Sequence, residues 1–155
     1  MAKGLVKIVL GSVVCLALWF ALWLLKPKVR NNERIIGLFT ENSSLNTSFE
    51  KPSVKQVDFF LIALVTKASQ DPSVIIEWSL SSTNEEEFWF TNRVRTLILG
   101  TNRINLTGPG NIAAVRSITQ GQRVIQVNTR VFGSNHFAPL SLGIQWMEVR
   151  RFYDP

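Results

Sequence analysis

Hydrophobic and polar positions alternate most cleanly over residues 125–131. Ile125, Val127, Thr129 and Val131 interleave there with Gln126, Asn128 and Arg130. A period of two predicts a strand with one dry and one wet face. Leu140–Phe152 is the final strand, with Leu142, Ile144 and Trp146 on one face. Ile112–Ile118 lies before the alternating run. Thr119-Gln120-Gly121-Gln122 separates the two as a hairpin signal, which places a further strand there. Gly108-Pro109-Gly110 and Gly133–Pro139 read as turns. Val74–Leu80 is β-branched and reads as a short strand, with a helical turn as the alternative.

Two segments carry a helical period. In Ser53–Gln70, the residues Val54, Val57, Leu61, Leu64, Val65 and Ala68 recur at helical spacing. Pro52 precedes this run, Ser53 with Gln56 forms a capping box, and Asp71-Pro72 ends it. Phe59, Phe60 and Ile62 widen the apolar arc, so this helix should be buried on more than one side. A second helix is read from Ser82 to about Leu99. Glu85, Glu86 and Glu87 suit its positive N-terminus, and Phe90, Val94, Leu97 and Ile98 form its stripe. A strand from Phe88 to Leu99 is the alternative.

The longest apolar run is Ile8–Leu25, which contains no charge. A span needs about 20 mostly apolar residues. Leu5 and Val6 extend the run past Lys7, and Lys26, Pro27, Lys28 and Arg30 stop it. The expected anchor is built on Ile8, Leu16, Trp19, Phe20, Trp23 and Leu25, with the two indoles near the headgroups. The run is too long for a signal-peptide core and has no small-x-small cleavage site. Strict counting of flanking Lys and Arg favours a cytoplasmic C-terminal domain. The short tail before the span favours the translocated, periplasmic arrangement, which is preferred here. The expected division is 1–27 for tail and span, 28–52 for a polar linker, and 53–155 for one α+β domain. That domain should have two helices packed on a curved antiparallel sheet of three to four strands.

Charge and cysteine content change this picture little. The chain has 155 residues and a formal charge of +6. Its basic residues are scattered: Arg93, Arg95, Arg103, Arg116, Arg123, Arg130, Arg150 and Arg151 form no continuous run. Nucleic acid is therefore not an expected partner. Cys15 is the single cysteine, which excludes a disulfide framework within the chain. Three Asn-x-Ser/Thr acceptor patterns begin at Asn42, Asn46 and Asn105, and they matter only in a glycosylating host.

No catalytic constellation stands out. His136 is the single histidine, in a surface loop, and one imidazole without cysteines makes no usual zinc site. Gly108-Pro109-Gly110 lacks the Lys-Ser/Thr that a phosphate loop requires. No metal, cofactor or small-molecule substrate is expected. Phe88-Trp89-Phe90 is more informative. On a helix these rings point about 100° apart, and on a strand Trp89 opposes the other two. At least one large ring should then meet a partner. Phe88, Trp89, Phe90, Trp146 and Arg150 are the candidate contact residues.

The segments Pro52–Gln70, Arg123–Phe132 and Ala138–Pro155 resemble the bitopic inner-membrane assembly factors of type IV secretion and conjugation machines. The first sits where that family's first long helix begins, and the other two look like its last strands. Pro139-Leu140 opens the final one, with Arg150 and Arg151 near its end. The resemblance implies one span, a linker and a nuclear-transport-factor-2-like periplasmic domain. Its partners would be the lipid bilayer, other channel subunits and further copies of itself. The expected function is that of a non-catalytic, membrane-anchored assembly subunit. The alternative is a ligand-binding module with an apolar pocket between helix and sheet, lined by Trp78 and Trp146.

Overall fold

The alternating run over 125–131 is a strand, and it lies inside a sheet rather than in a terminal meander. The computed structural model describes residues 13–21, 27–40, 43–67, 74–82, 86–133 and 136–150. In chain order the elements are α1 (residues 13–21), β1 (Lys28–Leu38), β2 (Ser44–Glu50), β3 (Asp58–Val65) and β4 (Val74–Ser81). They continue with β5 (Phe88–Val94), β6 (Gly100–Asn105), α2 (Ile112–Thr119), β7 (Val124–Phe132) and β8 (Phe137–Arg150). The strands form two four-stranded sheets, ordered β1-β8-β3-β6 and β2-β7-β4-β5. Chain neighbours β1 and β2, β3 and β4, and β7 and β8 fall in opposite sheets, so the chain keeps crossing between layers. This is the eight-stranded double Greek key known as a jelly roll. The expected α+β domain of helices on a sheet is thereby corrected to a β-sandwich.

The chain divides into two compact units, Asn31–Met147 and a second made of Met1–Arg30 with Glu148–Pro155. The sandwich core lies in the first. Phe59, Leu61, Ala63, Val65, Leu142 and Ile144 face it from one sheet, and Ile76, Trp78, Leu80, Ile125 and Val127 face it from the other. Phe59 packs on Trp78 at 5.4 Å between ring centroids, and Trp78 stacks on Phe90 at 4.5 Å. Thr129 shares the inner face of β7 and is 1% exposed, and its Oγ1 has no hydrogen-bond partner among the described residues.

The expected helix Ser53–Gln70 is instead a bend followed by β3. The Val54 N–H donates to Pro52 O at 2.7 Å, closing a tight turn where a capping box was expected. The run Phe59–Val65 is apolar on both faces: the inner face is buried, and on the outer one Phe60 is buried and Ile62 and Leu64 are half-buried. Phe60 points away from the core but is 1% exposed, since the Arg103 guanidinium lies 3.7 Å from its ring centroid. Arg103 is held in turn by Glu33 at 2.7 Å and by Gln145 at 2.5 Å. A continuous apolar run of this length has no period of its own, so spacing alone does not separate strand from helix.

The remaining corrections have similar causes. Phe88–Val94 is an edge strand rather than part of a helix from Ser82 to Leu99, and it stops five residues short of the strand from Phe88 to Leu99 that was the alternative. Ile112–Thr119 is a helix rather than a strand: Val115 and Ile118, three residues apart, bury one face, and Ala113-Ala114 favours the helical turn. In β8 the pairing with β3 slips between Ile62 and Ala63, so Leu140 is bulged out of register. Phe137 before the bulge and Leu142 and Ile144 after it can then all face the core.

The expected span is also corrected. Among the described residues, no helix is long and apolar enough to cross a membrane. Leu16, Trp19 and Phe20 are exposed on α1, while Ile8, Trp23 and Leu25 lie outside the described residues. The single-pass inner-membrane placement rested on that span and is withdrawn with it. The nuclear-transport-factor-2-like fold implied by the resemblance does not agree with the observed strand order either.

Candidate functional site

Two surfaces of the unit Asn31–Met147 gather chemistry. The first is the β5 edge. In β5, Phe88, Phe90, Asn92 and Val94 pair across to Leu80, Trp78, Ile76 and Val74, which puts them on the core side. Trp89 therefore points outward, as its opposition to Phe88 and Phe90 on a strand requires. Phe90 is covered by Trp78, whereas Phe88 and Trp89 remain 46% and 45% exposed. Ile98 and Leu99, just after β5, are 66% and 65% exposed. The expected contact residues Phe88, Trp89 and Phe90 thus share one strand, with two of the three accessible. Trp146 lies on the other sheet, and the Arg150 side chain is outside the described set.

Beside Trp89, the outer face of this sheet carries a polar network. Asn128 pairs with Ser79 across β7 and β4, and Ser79 with Trp89 across β4 and β5. Ser79 Oγ and Asn128 Nδ2 each donate to Glu87 Oε1 at 2.5 Å, and the Arg130 guanidinium lies 5.2 Å from the Trp89 ring centroid. The hydrogen bonds from Ser79 and Asn128, with smaller help from Trp89 and Arg130, hold the Glu87 carboxyl below its ordinary value. A depressed carboxylate pKa stabilises the folded state at pH above the unfolded value, and that stability is lost as pH falls through the folded one. Glu87 is exposed, so the effect is small. Glu87→Gln should therefore lower stability slightly at pH 7, leave the acid end of the profile unchanged, and so flatten the acid limb below about pH 4.5. A heteronuclear titration placing Glu87 at or above the ordinary glutamate value would contradict this origin.

The second surface is a cleft of about 810 Å3. Its walls come from β1 (Arg34), the β2–β3 turn (Glu50 to Lys55), the α2–β7 turn (Gln120 to Arg123) and Trp146 of β8. Arg123 pairs with Glu50 at 2.8 Å, and Arg34 donates to the Glu50 carbonyl at 2.6 Å. Lys51 Nζ donates to Val54 O at 2.6 Å, and partial burial lowers its pKa. Gly121 turns the chain at φ +74°, a conformation that favours glycine. Among these residues, sequence reading named Trp146 alone as a candidate for contact or ligand binding. Trp78, its expected partner in an apolar pocket, is 0% exposed and does not line the cleft. Among the described residues, no group of His, Cys, Asp and Glu could hold a metal ion.

No protein-family model matches the chain. No curated protein matches it in sequence. Among solved structures, it is similar to the infectious bursal disease virus Gx strain structure at 10% identity and a TM-score of 0.39, over 78% of this chain and 32% of that one. The subviral particle formed by VP2 of the same virus gives 14% identity and a TM-score of 0.36, over 77% and 33%. Desmodium yellow mottle tymovirus gives 11% identity and a TM-score of 0.33, over 83% and 91%. The chain thus spans about a third of the two bursal disease virus chains. The jelly-roll topology rests on the strand pairing itself, and no function follows from likenesses this distant.

Proposed function

We propose that this chain is a non-catalytic assembly subunit that acts through protein–protein contacts, pairing with a second copy of itself along β5. The observation that carries this reading is the chemistry of β5 as a sheet edge. An open edge offers unpaired backbone N–H and C=O groups, and proteins usually blunt such edges with charge or proline. The other three edges fit that rule. β1 carries Lys28, Arg30, Glu33 and Arg34, β2 carries Glu50, and β6 carries Arg103. β5 carries Arg93 near its end but opens with five uncharged residues, Phe88-Trp89-Phe90-Thr91-Asn92, of which Phe88 and Trp89 are exposed rings that the other edges lack. Antiparallel pairing of two such edges about a two-fold axis continues the sheet across both copies and covers the rings.

The test is sedimentation velocity on the full chain over a range of concentrations. The expected result is a dimer or higher species. Phe88→Ser with Trp89→Lys should weaken association by about 2 kcal/mol, roughly thirtyfold, as loss of an aromatic anchor does. The circular dichroism spectrum should stay unchanged. A monomer at all concentrations, or a doubly substituted chain that associates as tightly as the parent, would remove the reading.

A further inference from the structure

The cleft between the β2–β3 and α2–β7 turns is not needed for β5 pairing, and its lining is chemically specific. Arg34, Lys51, Lys55 and Arg123 set four cationic side chains against one carboxylate, Glu50. These cations come from β1, from one turn and from the end of another, so no local run in the chain announces them. Glu50 is already neutralised by Arg123. The remaining positive charge faces an open concavity whose volume falls within the range of roughly 300–1,000 Å3 typical of ligand sites. The cations also keep donor capacity. A guanidinium has five N–H groups and an ammonium three, and the described bonds use only some of them.

Trp146 supplies the second element. It packs against the core on one side and lines the cleft on the other. An indole beside a cluster of cations matches a ligand that is both anionic and flat. Phosphate is the anion that arginine forks and lysine ammonium groups jointly suit. A nucleobase is the flat group that stacks on an aromatic side chain in sequence-tolerant binding.

We propose that this cleft binds a nucleotide unit, with its phosphate on Arg34, Lys51, Lys55 and Arg123 and its base against Trp146. The unit is either a free nucleotide or one residue of a single strand. The scattering of basic residues along the chain argued against nucleic acid, but the fold removes that objection by gathering four of them in one place.

The experiment is fluorescence anisotropy of a labelled single-stranded RNA of about ten uridines, titrated with the full chain at about 50 and 200 mM salt. Uridine monophosphate and inorganic polyphosphate serve as competitors. Binding should saturate and weaken as salt rises. Lys55→Gln with Arg123→Gln should lower affinity at least tenfold and reduce the salt slope by about one to two. Trp146→Leu should weaken RNA binding but not polyphosphate binding, and Trp146→Phe, which keeps an aromatic face, should restore it. Displacement by uridine monophosphate at a comparable concentration marks a free nucleotide as the source, and much tighter RNA binding marks a strand. No saturable binding at the lower salt would overturn the proposal, as would doubly substituted chains that bind like the parent. Equal binding of polyphosphate and RNA, insensitive to Trp146→Leu, would overturn the nucleotide assignment. Phe88→Ser with Trp89→Lys should leave RNA binding intact, which separates this outcome from that of the β5 reading.

Discussion

Trp78→Ala is expected to lower the unfolding free energy by about 4 kcal/mol, the largest single-residue effect in the chain. Truncating a buried tryptophan typically costs ~3–5 kcal/mol, because transfer energy is lost and the cavity collapses only in part. Trp78 is 0% exposed and sits between Phe59 of the facing sheet and Phe90 of the neighbouring strand. Its indole N–H donates to Asn92 Oδ1 at 2.8 Å, and Asn92 Nδ2 donates onward to Leu106 O at 3.2 Å. One side chain thus joins the two sheets by packing and ties β5 to the segment after β6 by hydrogen bonds. Trp78→Phe separates the two roles. It keeps an aromatic ring but leaves the Asn92 oxygen without its donor, so a smaller loss of about 2 kcal/mol is expected. Urea unfolding followed by circular dichroism reads both, and the denaturant slope should be preserved. A loss below about 1 kcal/mol for the alanine variant would show that the ring does not close the sandwich.

Gly143→Ala should cost about 2–3 kcal/mol, although it adds one methyl group to a strand where alanine is ordinarily preferred. A Cβ at this position would lie 2.3 Å from Phe60 Cζ and within 2.9 Å of two further ring atoms. The ring cannot retreat outward, since Arg103 lies 3.7 Å from its centroid and is tethered to Glu33 and Gln145. Gly37→Ala provides the contrast. Its Cβ would meet Leu45 Cδ2 at 2.7 Å, the far end of a flexible side chain, and a change of about 0.5 kcal/mol is expected. Phe60→Leu should recover much of the Gly143→Ala loss in a double-mutant cycle, because it removes the atoms the new methyl meets. Additive losses in that cycle would place the cost in the backbone instead.

Legibility in the sequence followed burial. β7 was readable because one of its faces is wet, and the polar face supplies the alternation. β4 was readable from Val74, Ile75 and Ile76. β3 was misread because its outer face carries Phe60, Ile62 and Leu64, with Phe60 buried under Arg103 and the other two half-buried, and two apolar faces erase the period. Turn chemistry misled at two places. Pro52-Ser53 opens a tight turn rather than a helix, and Gln120-Gly121 links a helix to a strand rather than two strands. The resemblance leaned on that same misread helix. Among the site residues, Trp89 was legible because its two neighbours are aromatic and a strand must turn one of the three rings outward. The cleft was not legible, since Arg34 and Arg123 lie far apart in the chain, one on a strand of the first sheet and the other just before a strand of the second, and come together only at Glu50.

The bulge at Leu140 bears on how this chain tolerates changes in length. A strand that reverses its inside–outside phase halfway along carries a built-in frameshift. Losing one residue near Pro139 would restore a regular ladder, and it would leave Phe137 an even number of residues from Leu142 and Ile144, so all three would keep facing the core. Gaining one there would either widen the bulge or turn one half of the strand out of phase. Deletions at this point should therefore be milder than insertions, whereas in a regular strand either change would reverse the phase of one half.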